Sequence, residues 1–595
     1  MNIKELPHFK LAQELEAKLG DPNNPETLMS YKRIMELDES ESFQEEFFQF
    51  LLSLKLHHKY VPQSLGGELH SYEEIYELGR VLARRDLSTA VTMSTLIWSL
   101  IAWVGGDDKL KQRCAEITLS NNCSPCLAYS EEDHGSDLLA GGLTATKTDD
   151  GYILEGEKWP INRAARSDTV MLLARTSNDK GARNLSLFMV EKSKLDPSTF
   201  SYLPKVKSYG LRGCDICGIK FNGTQISHDS LIGREGDGLE IAIKAFQVTR
   251  TLCATLSIGA LENNLRVVMD FAQKRQLYKK SVFDIPNAKR YLTGAFVDIL
   301  TTDTVGSTLI RAAHVIPEQL SILSAVAKCF APLKLDKSQK DLATVLGARF
   351  FFRERHKEGI FQKSLRDSQV VSLFDGSSEV NLYSLSTQLP LLARRQKKVL
   401  ERKIPVNNEV LQRLFRASEK VPEFDGGKLD LSSHSKDLIM ESIVEIPEKL
   451  EQISDVSAIP AIRSLTDKLI DKYQANLNRV MGATGYKIGL QSPEMFNLSR
   501  QYCIIHAAVC AINYWLYNRD LSDQYIADGE WLIVALDRLL HELHVDTQDD
   551  LNAYYDNAAE ELERRTNQHL TYSLVSLPIL PLINNNMNNT EENVA

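Results

Sequence analysis

The chain has 595 residues, of which 43% are hydrophobic and 25% charged, and a formal net charge of -10. That length exceeds what one hydrophobic core serves and points to about three to five domains. The ordinary composition excludes disordered and fibrous classes. The small acidic excess is spread along the chain and leaves no basic face for a phosphate backbone, so nucleic acid is not an expected partner.

The N-terminus, Met1 to Leu19, mixes Lys and Glu with apolar residues and lacks the unbroken apolar core of a signal peptide, so a cytoplasmic protein is expected. Residues 1–126 read as a helical domain: Phe47, Phe50, Leu51 and Leu54 fall on one face of a helix, Pro62 to Gly67 is a turn, and Tyr72 to Ala83 resumes helical spacing. The uncharged stretch Leu87 to Gly106 carries Ser94, Thr95 and Ser99 and is read as a buried core helix, not a membrane span.

From Cys126 the texture changes to short apolar runs, such as Thr169 to Ala174 and Leu185 to Val190, separated by Asp, Gly, Asn and Ser. That pattern predicts a strand-rich domain over 127–239. Long amphipathic patterns with few breakers then predict a helical bundle over 240–395. A Gly-, Asp- and Ser-containing stretch, Val421 to Ser435, lies inside an additional region, 396–583, read as a helical extension; Gln491 to Arg519 is apolar enough to be largely buried there. The Asn- and Glu-rich tail 584–595 has too little apolar surface to order itself. The fold class is therefore α+β and mostly α.

Nine cysteines include two pairs with metal-like spacing, Cys123 with Cys126 and Cys214 with Cys217. The gap between the pairs is far longer than the roughly 15 to 20 residues that join two zinc knuckles, so they are read as buried or incidental thiols and no metal is expected.

Two motifs carry the chemistry. Ala128-Tyr-Ser-Glu-Glu-Asp-His-Gly-Ser-Asp137 opens the strand-rich region, and Gly151-Tyr-Ile-Leu-Glu-Gly-Glu-Lys-Trp159 follows it. Each alone is a polar hairpin turn. Together and in this order they resemble the acyl-CoA dehydrogenase family, with its aromatic-Thr-Glu-Pro-x-x-Gly-Ser-Asp loop and Gly-Tyr-x-Leu-x-Gly-x-Lys turn. The resemblance continues through Tyr209-Gly-Leu-Arg-Gly213, Gly218 to Asn222, Leu231-Ile-Gly-Arg-Glu-Gly-Asp-Gly-Leu239, Thr249-Arg250, Arg275 and Leu365 to Ser377, and spans residues 40–395.

The resemblance implies a helical domain, a β domain and a helical bundle, with FAD between the last two and a second subunit completing the site in a homodimer or homotetramer. It places Tyr129, Ser130 and Asn162 near the flavin ring, Ser136 near substrate and cofactor, Ser377 where the family has a flavin-contacting Thr, and Arg275 against the pyrophosphate held by a neighbouring subunit, a bidentate task suited to guanidinium. It departs from the family at Pro160, which replaces the tryptophan beside the flavin while Trp159 is shifted by one; at Asn162, which replaces a Thr but keeps an amide donor; and at Thr344, which replaces a Gln in the segment met by the partner's cofactor.

The reaction implied is α,β-dehydrogenation of an acyl thioester, on CoA or a carrier protein, with electron-transfer flavoprotein or another acceptor taking the electrons. The family base position is Asp375, within Leu373-Phe-Asp-Gly-Ser377, one methylene shorter than the usual Glu; the other position used by relatives is Thr249, which cannot serve. Arg250 matches an arginine near the base. The competing assignment for Asp375 is an N-cap of the following helix. Two other functions stand beside the dehydrogenase: a flavin oxidase or monooxygenase of the nitroalkane oxidase kind, and a flavoprotein subunit that has lost catalysis.

Overall fold

The computed structural model describes residues 2–120, 125–178, 181–485, 492–547 and 550–579. It is α+β and mostly helical. The N-terminal part holds α1 (Pro7–Leu19), α2 (Tyr31–Glu39), α3 (Glu45–Ser53), α4 (Tyr72–Arg85), α5 (Leu87–Met93), α6 (Leu100–Gly105) and α7 (Asp108–Leu119). In α3 the buried face is Phe47, Phe48, Leu51 and Leu52, one step round from the expected one, because Phe50 and Leu54 lie at its edge. The apolar stretch expected as one core helix is α5, a 3-10 turn over Ser94–Ser99 and α6, largely buried in sequence. Asp86 starts it by accepting from the Thr89 amide at 2.8 Å, and the Thr95 and Ser99 hydroxyls bond back to carbonyls three residues earlier.

The middle of the chain is an eight-stranded sheet of β1 (Pro125–Ala128), β2 (Thr144–Thr148), β3 (Gly151–Asn162), β4 (Thr169–Arg175), β5 (Leu185–Glu191), β6 (Phe200–Leu203), β7 (Ile216–Ser227) and β8 (Leu231–Ile232), in the order β6-β7-β3-β2-β4-β5-β8 with β1 parallel to β4. The β3–β7 ladder shifts register between Lys158 and Ile161. Proline has no N–H to give a ladder, so the strand bulges at Pro160 and pairing resumes at Ile161 and Asn162, which re-aims Asn162 at the end of the strand.

The helical bundle is α8 (Gly238–Lys274), α9 (Pro286–Val315), α10 (Leu320–Leu346), α11 (Ile360–Ser368) and α12 (Ser378–Arg402), with a small hairpin of β9 (Gln276–Leu277) and β10 (Lys280–Ser281) after α8. Helices α4 and α8 cross closely because Gly259 has no Cβ; one there would lie 2.6 Å from the Ala83 methyl and 2.6 Å from the Arg80 carbonyl. The extension adds α13 (Asn408–Phe415), α14 (Leu438–Glu441), α15 (Ile446–Glu451), α16 (Ile459–Gly485), α17 (Pro493–Asn518), α18 (Gln524–Ala527), α19 (Glu530–Glu542) and α20 (Asn552–Asn567). Helix α17 packs on α9, α10 and α12.

One continuous apolar core joins the N-terminal helices, the bundle and the extension, whereas the sheet has a second core on its other face, around Tyr152, Leu172, Phe188 and Phe221. The texture changes expected at 126/127, 239/240 and 395/396 fall inside β1, α8 and α12. Composition changes where burial changes, and hydrogen-bonded elements run across those points. The expected tail 584–595 lies outside the described residues, as does Cys123; Cys126, Cys214 and Cys217 are buried free thiols.

Candidate active site

Helix α8 carries Phe246, Thr249, Arg250 and Cys253 at spacings of three and four, so all four project from one face. The loop between α11 and α12 lies over that face. Arg250 Nε donates to the Asp375 carbonyl at 2.8 Å, and the Cys253 thiol donates to Asp375 Oδ2 at 3.9 Å. The backbone at Asp375 has φ +54° and at Gly376 φ +81°, a left-handed pair that turns the carboxyl towards α8 and away from α12. The N-cap of α12 is Ser377, whose hydroxyl accepts from the Val380 amide at 3.3 Å. Asp375 is therefore not the cap, and Ser377 is held in a capping role with its side chain half-buried.

Helix α10 supplies Lys328 from behind the loop. The ammonium is fully buried, donates to the Val371 carbonyl and lies 4.6 Å from the centre of the Phe374 ring. Burial pushes the Asp375 carboxyl above the usual aspartate range; Lys328, Arg250 and polar contacts from Thr249 and Cys253 oppose this without cancelling it. A carboxylate so placed binds a proton more readily than a solvated one, which is the property a base near neutral pH requires.

An aromatic wall leads from this carboxylate to the sheet. The Arg250 guanidinium lies 5.4 Å from the Phe246 ring, which meets Tyr129 edge-on at 5.6 Å and Trp98 edge-on at 6.0 Å. Tyr129 and Ser130 directly follow β1 and are held from below: Lys158 Nζ donates to the Tyr129 carbonyl at 3.0 Å and to Glu131 Oε1 at 2.8 Å, and the Trp159 amide donates to the Ser130 carbonyl at 2.9 Å. Burial raises the Glu131 carboxyl, but the Gly142 and Leu143 amides and Lys158 outweigh it and hold the group below its ordinary range. Asn162 donates from Nδ2 to the Val91 carbonyl at 3.3 Å.

Two buried polar atoms, the Tyr129 hydroxyl and Asn162 Oδ1, have no hydrogen-bond partner in the protein. Such atoms cost on the order of 1–3 kcal/mol each unless something satisfies them. Unmet hydrogen-bonding groups beside an aromatic surface suit an isoalloxazine ring, which needs apolar contact and a few hydrogen bonds.

Asp375, Arg250 and Tyr129 thus gather around one region, joined by Phe246, Trp98, Cys253 and Lys328, which sequence reasoning missed, and Asn162 is tied to α5 through Val91. The signal for Phe246 and Cys253 was their spacing of four and three from Arg250 on α8, whereas Trp98 and Lys328 stand on other elements and had none. Ser136 is exposed in the loop after β1. Arg275 is exposed at the far end of α8, 25 positions after Arg250 and therefore about 37 Å along the axis at ~1.5 Å per residue. Around Arg275 are Tyr278, 93% exposed, and Phe351, 73% exposed, in a basic and aromatic patch where Arg349 and His356 both pack on Phe271. A separate cleft of about 600 Å³ between α7 and the β5 and β7–β8 edge touches none of these residues.

The chain is similar to known proteins over its sheet and bundle segments. The acyl-CoA dehydrogenase middle-domain profile matches residues 126–224 and the acyl-CoA dehydrogenase C-terminal-domain profile matches residues 236–389. Among curated proteins, the chain is 24% identical over 358 residues to cyclohex-1-ene-1-carbonyl-CoA dehydrogenase of Syntrophus aciditrophicus (strain SB), covering 58% of this chain and 83% of that one. Among solved structures it is similar in fold to butyryl-CoA dehydrogenase from Megasphaera elsdenii, with a TM-score of 0.59, 20% identity, and coverage of 65% of this chain and 98% of that one. It is likewise similar to the prolyl acyl carrier protein oxidase AnaB, with a TM-score of 0.58, 17% identity, and coverage of 65% and 99%.

Proposed function

The chain belongs to the acyl-CoA dehydrogenase family of oxidoreductases, and from that premise we propose that it is an FAD-dependent enzyme that introduces an α,β double bond into an acyl thioester. The observation that carries the reading is the half-buried Asp375 carboxyl, turned onto the Thr249, Arg250 and Cys253 face of α8 with its basicity raised by desolvation.

Asp375 takes the proton from the α-carbon, a step for which a positioned base contributes about 10²–10⁴-fold in rate. Arg250 holds the loop that presents it, through the Asp375 carbonyl. The Phe246, Trp98 and Tyr129 wall keeps water from the reacting carbons. The flavin, when bound, supplies the acceptor for the hydride that leaves the β-carbon. Tyr129, Ser130 and Asn162 would hold its ring, with Ser377 beside the loop and Ser136 nearer the entrance. Arg275 would meet the pyrophosphate bound by another subunit, which makes the functional unit at least a homodimer. The substrate is an acyl-CoA or an acyl-carrier protein, and electrons leave to an electron-transfer flavoprotein or similar acceptor.

Aspartate in place of the more usual glutamate favours one further reading, an oxidase on the same scaffold. Anaerobic titration with a panel of acyl thioesters tests both. Bleaching of the flavin absorbance, followed by slow recovery in air, is the expected result; rapid recovery in air assigns the oxidase, and no bleaching with any thioester removes both.

A further inference from the structure

Lys328 stands in the first half of α10 with its side chain fully buried, and no carboxylate lies within 4 Å of its ammonium among the described residues. Removing an ammonium from water costs several kcal/mol unless neighbouring groups offset it. The groups that do so here come mainly from one loop: the Val371 carbonyl accepts from Nζ, the Phe374 ring presents its face at 4.6 Å, and Asp375 is the carboxylate whose ionised form the lysine favours. The groups facing the carboxyl are Thr249, Arg250 and Cys253 from α8 and Lys328 from α10, with Cys329 beside the lysine. Arg250 spends its Nε on the Asp375 backbone, and Lys328 is the other cation that acts on the carboxylate.

We propose that Lys328 is the positioning residue for Asp375: it ties down the loop 371–375 through the Val371 carbonyl and the Phe374 ring, and it supplies the counter-charge of the carboxylate. This deepens the reading of Asp375 as the base and rests on it. Without the ammonium the carboxyl stays protonated to higher pH, because burial is then opposed only by Arg250, Thr249 and Cys253. With it, the carboxylate is available near neutral pH in a site that excludes water.

The test uses Lys328→Met, Lys328→Gln and Lys328→Arg in the full-length protein with FAD. In anaerobic stopped-flow, the acid limb of the pH profile for flavin reduction is expected to move up by at least one pH unit in Lys328→Met and Lys328→Gln, and to return most of the way in Lys328→Arg. In thermal melts, which need no substrate, Lys328→Met is expected to cost more at pH 8 than at pH 5, and this difference is expected to vanish in an Asp375→Asn background. An unmoved acid limb, or the same pH dependence with and without the Asp375 carboxylate, makes Lys328 a packing residue and overturns the proposal. If no acyl thioester reduces the wild-type flavin, the dehydrogenase reading falls, while the melting comparison still decides the coupling of Lys328 to Asp375.

Discussion

Arg250 Nε donates to the backbone carbonyl of Asp375 at 2.8 Å, so the guanidinium on α8 grips the main chain of the loop and leaves the carboxylate free for other partners. The same guanidinium limits the next residue. Gly376 has φ +81°, and a Cβ there would lie 2.8 Å from Arg250 Nη2. Gly376→Ala is therefore expected to strain the loop by about 1 kcal/mol or more and to displace Asp375. A displacement of about 1 Å costs on the order of a hundredfold in rate. Stopped-flow reduction at the wild-type rate would show that this contact does not set the position of the base.

Asp375→Asn is expected to keep FAD and the fold while lowering reduction by acyl thioester about 10²–10⁴-fold. It is also expected to stabilise the protein at high pH. Burial holds the folded-state pKa of Asp375 above its unfolded value. The native state therefore loses stability as pH rises through that folded value, whereas below the unfolded pKa both states carry the proton and nothing is lost. The melting temperature of Asp375→Asn should exceed that of wild type at pH 8, with the gap closing towards pH 4. A lower melting temperature throughout would mean that the carboxylate is a structural element.

Arg275→Ala is expected to weaken FAD retention by about 10–100-fold, the loss of one charge-assisted contact of roughly 1.5–3 kcal/mol. Because Arg275 lies at the far end of α8 from Arg250, the effect requires a second copy. Light scattering of the wild type is expected to give at least a dimer. A monomer that keeps tight FAD, or an Arg275→Ala variant with unchanged FAD affinity, would remove the inter-subunit role.

The extension has its own pH dependence. His506 Nε2 lies 3.5 Å from Asp437 Oδ2, both fully buried, while Tyr502 donates its hydroxyl to the same Asp437 oxygen at 2.6 Å and the Cys510 thiol sits 3.5 Å from His506 Nδ1. Burial lowers the His506 pKa, but Asp437 and Cys510 outweigh it and raise it to about 10. The stability contributed by His506 is fully present below its unfolded pKa of roughly 6.5 and is lost as pH rises through about 10. The wild-type melting temperature should fall between pH 7 and pH 10, and His506→Gln should be less stable at pH 7, by about 3–5 kcal/mol on the scale of a broken buried pair, with much of the alkaline fall removed. An identical alkaline fall in His506→Gln would place the titrating group elsewhere.

Much of this molecule was legible in order along the chain. Short apolar runs broken by turn residues announced the sheet, long periodic stretches announced the bundle, and the motifs around Tyr129, Lys158 and Asp375 carried the family resemblance. Local patterns carry this information because a residue's side-chain direction follows from the period of its own element. They determine which face of α8 holds Thr249, Arg250 and Cys253, and that Ser377 and Asp375 both stand before a helix. Only the packed chain decided that Ser377 takes the cap and leaves Asp375 in left-handed backbone over α8, that Lys328 reaches the loop from α10, and that Phe246 joins Tyr129 to Arg250. The contacts of Lys328 with Val371, of Phe246 with Tyr129 and of Arg250 with Asp375 link residues tens to more than a hundred positions apart. Which faces meet, and which buried polar atoms find a partner, depends on the fit of several elements at once, and no local period encodes that fit.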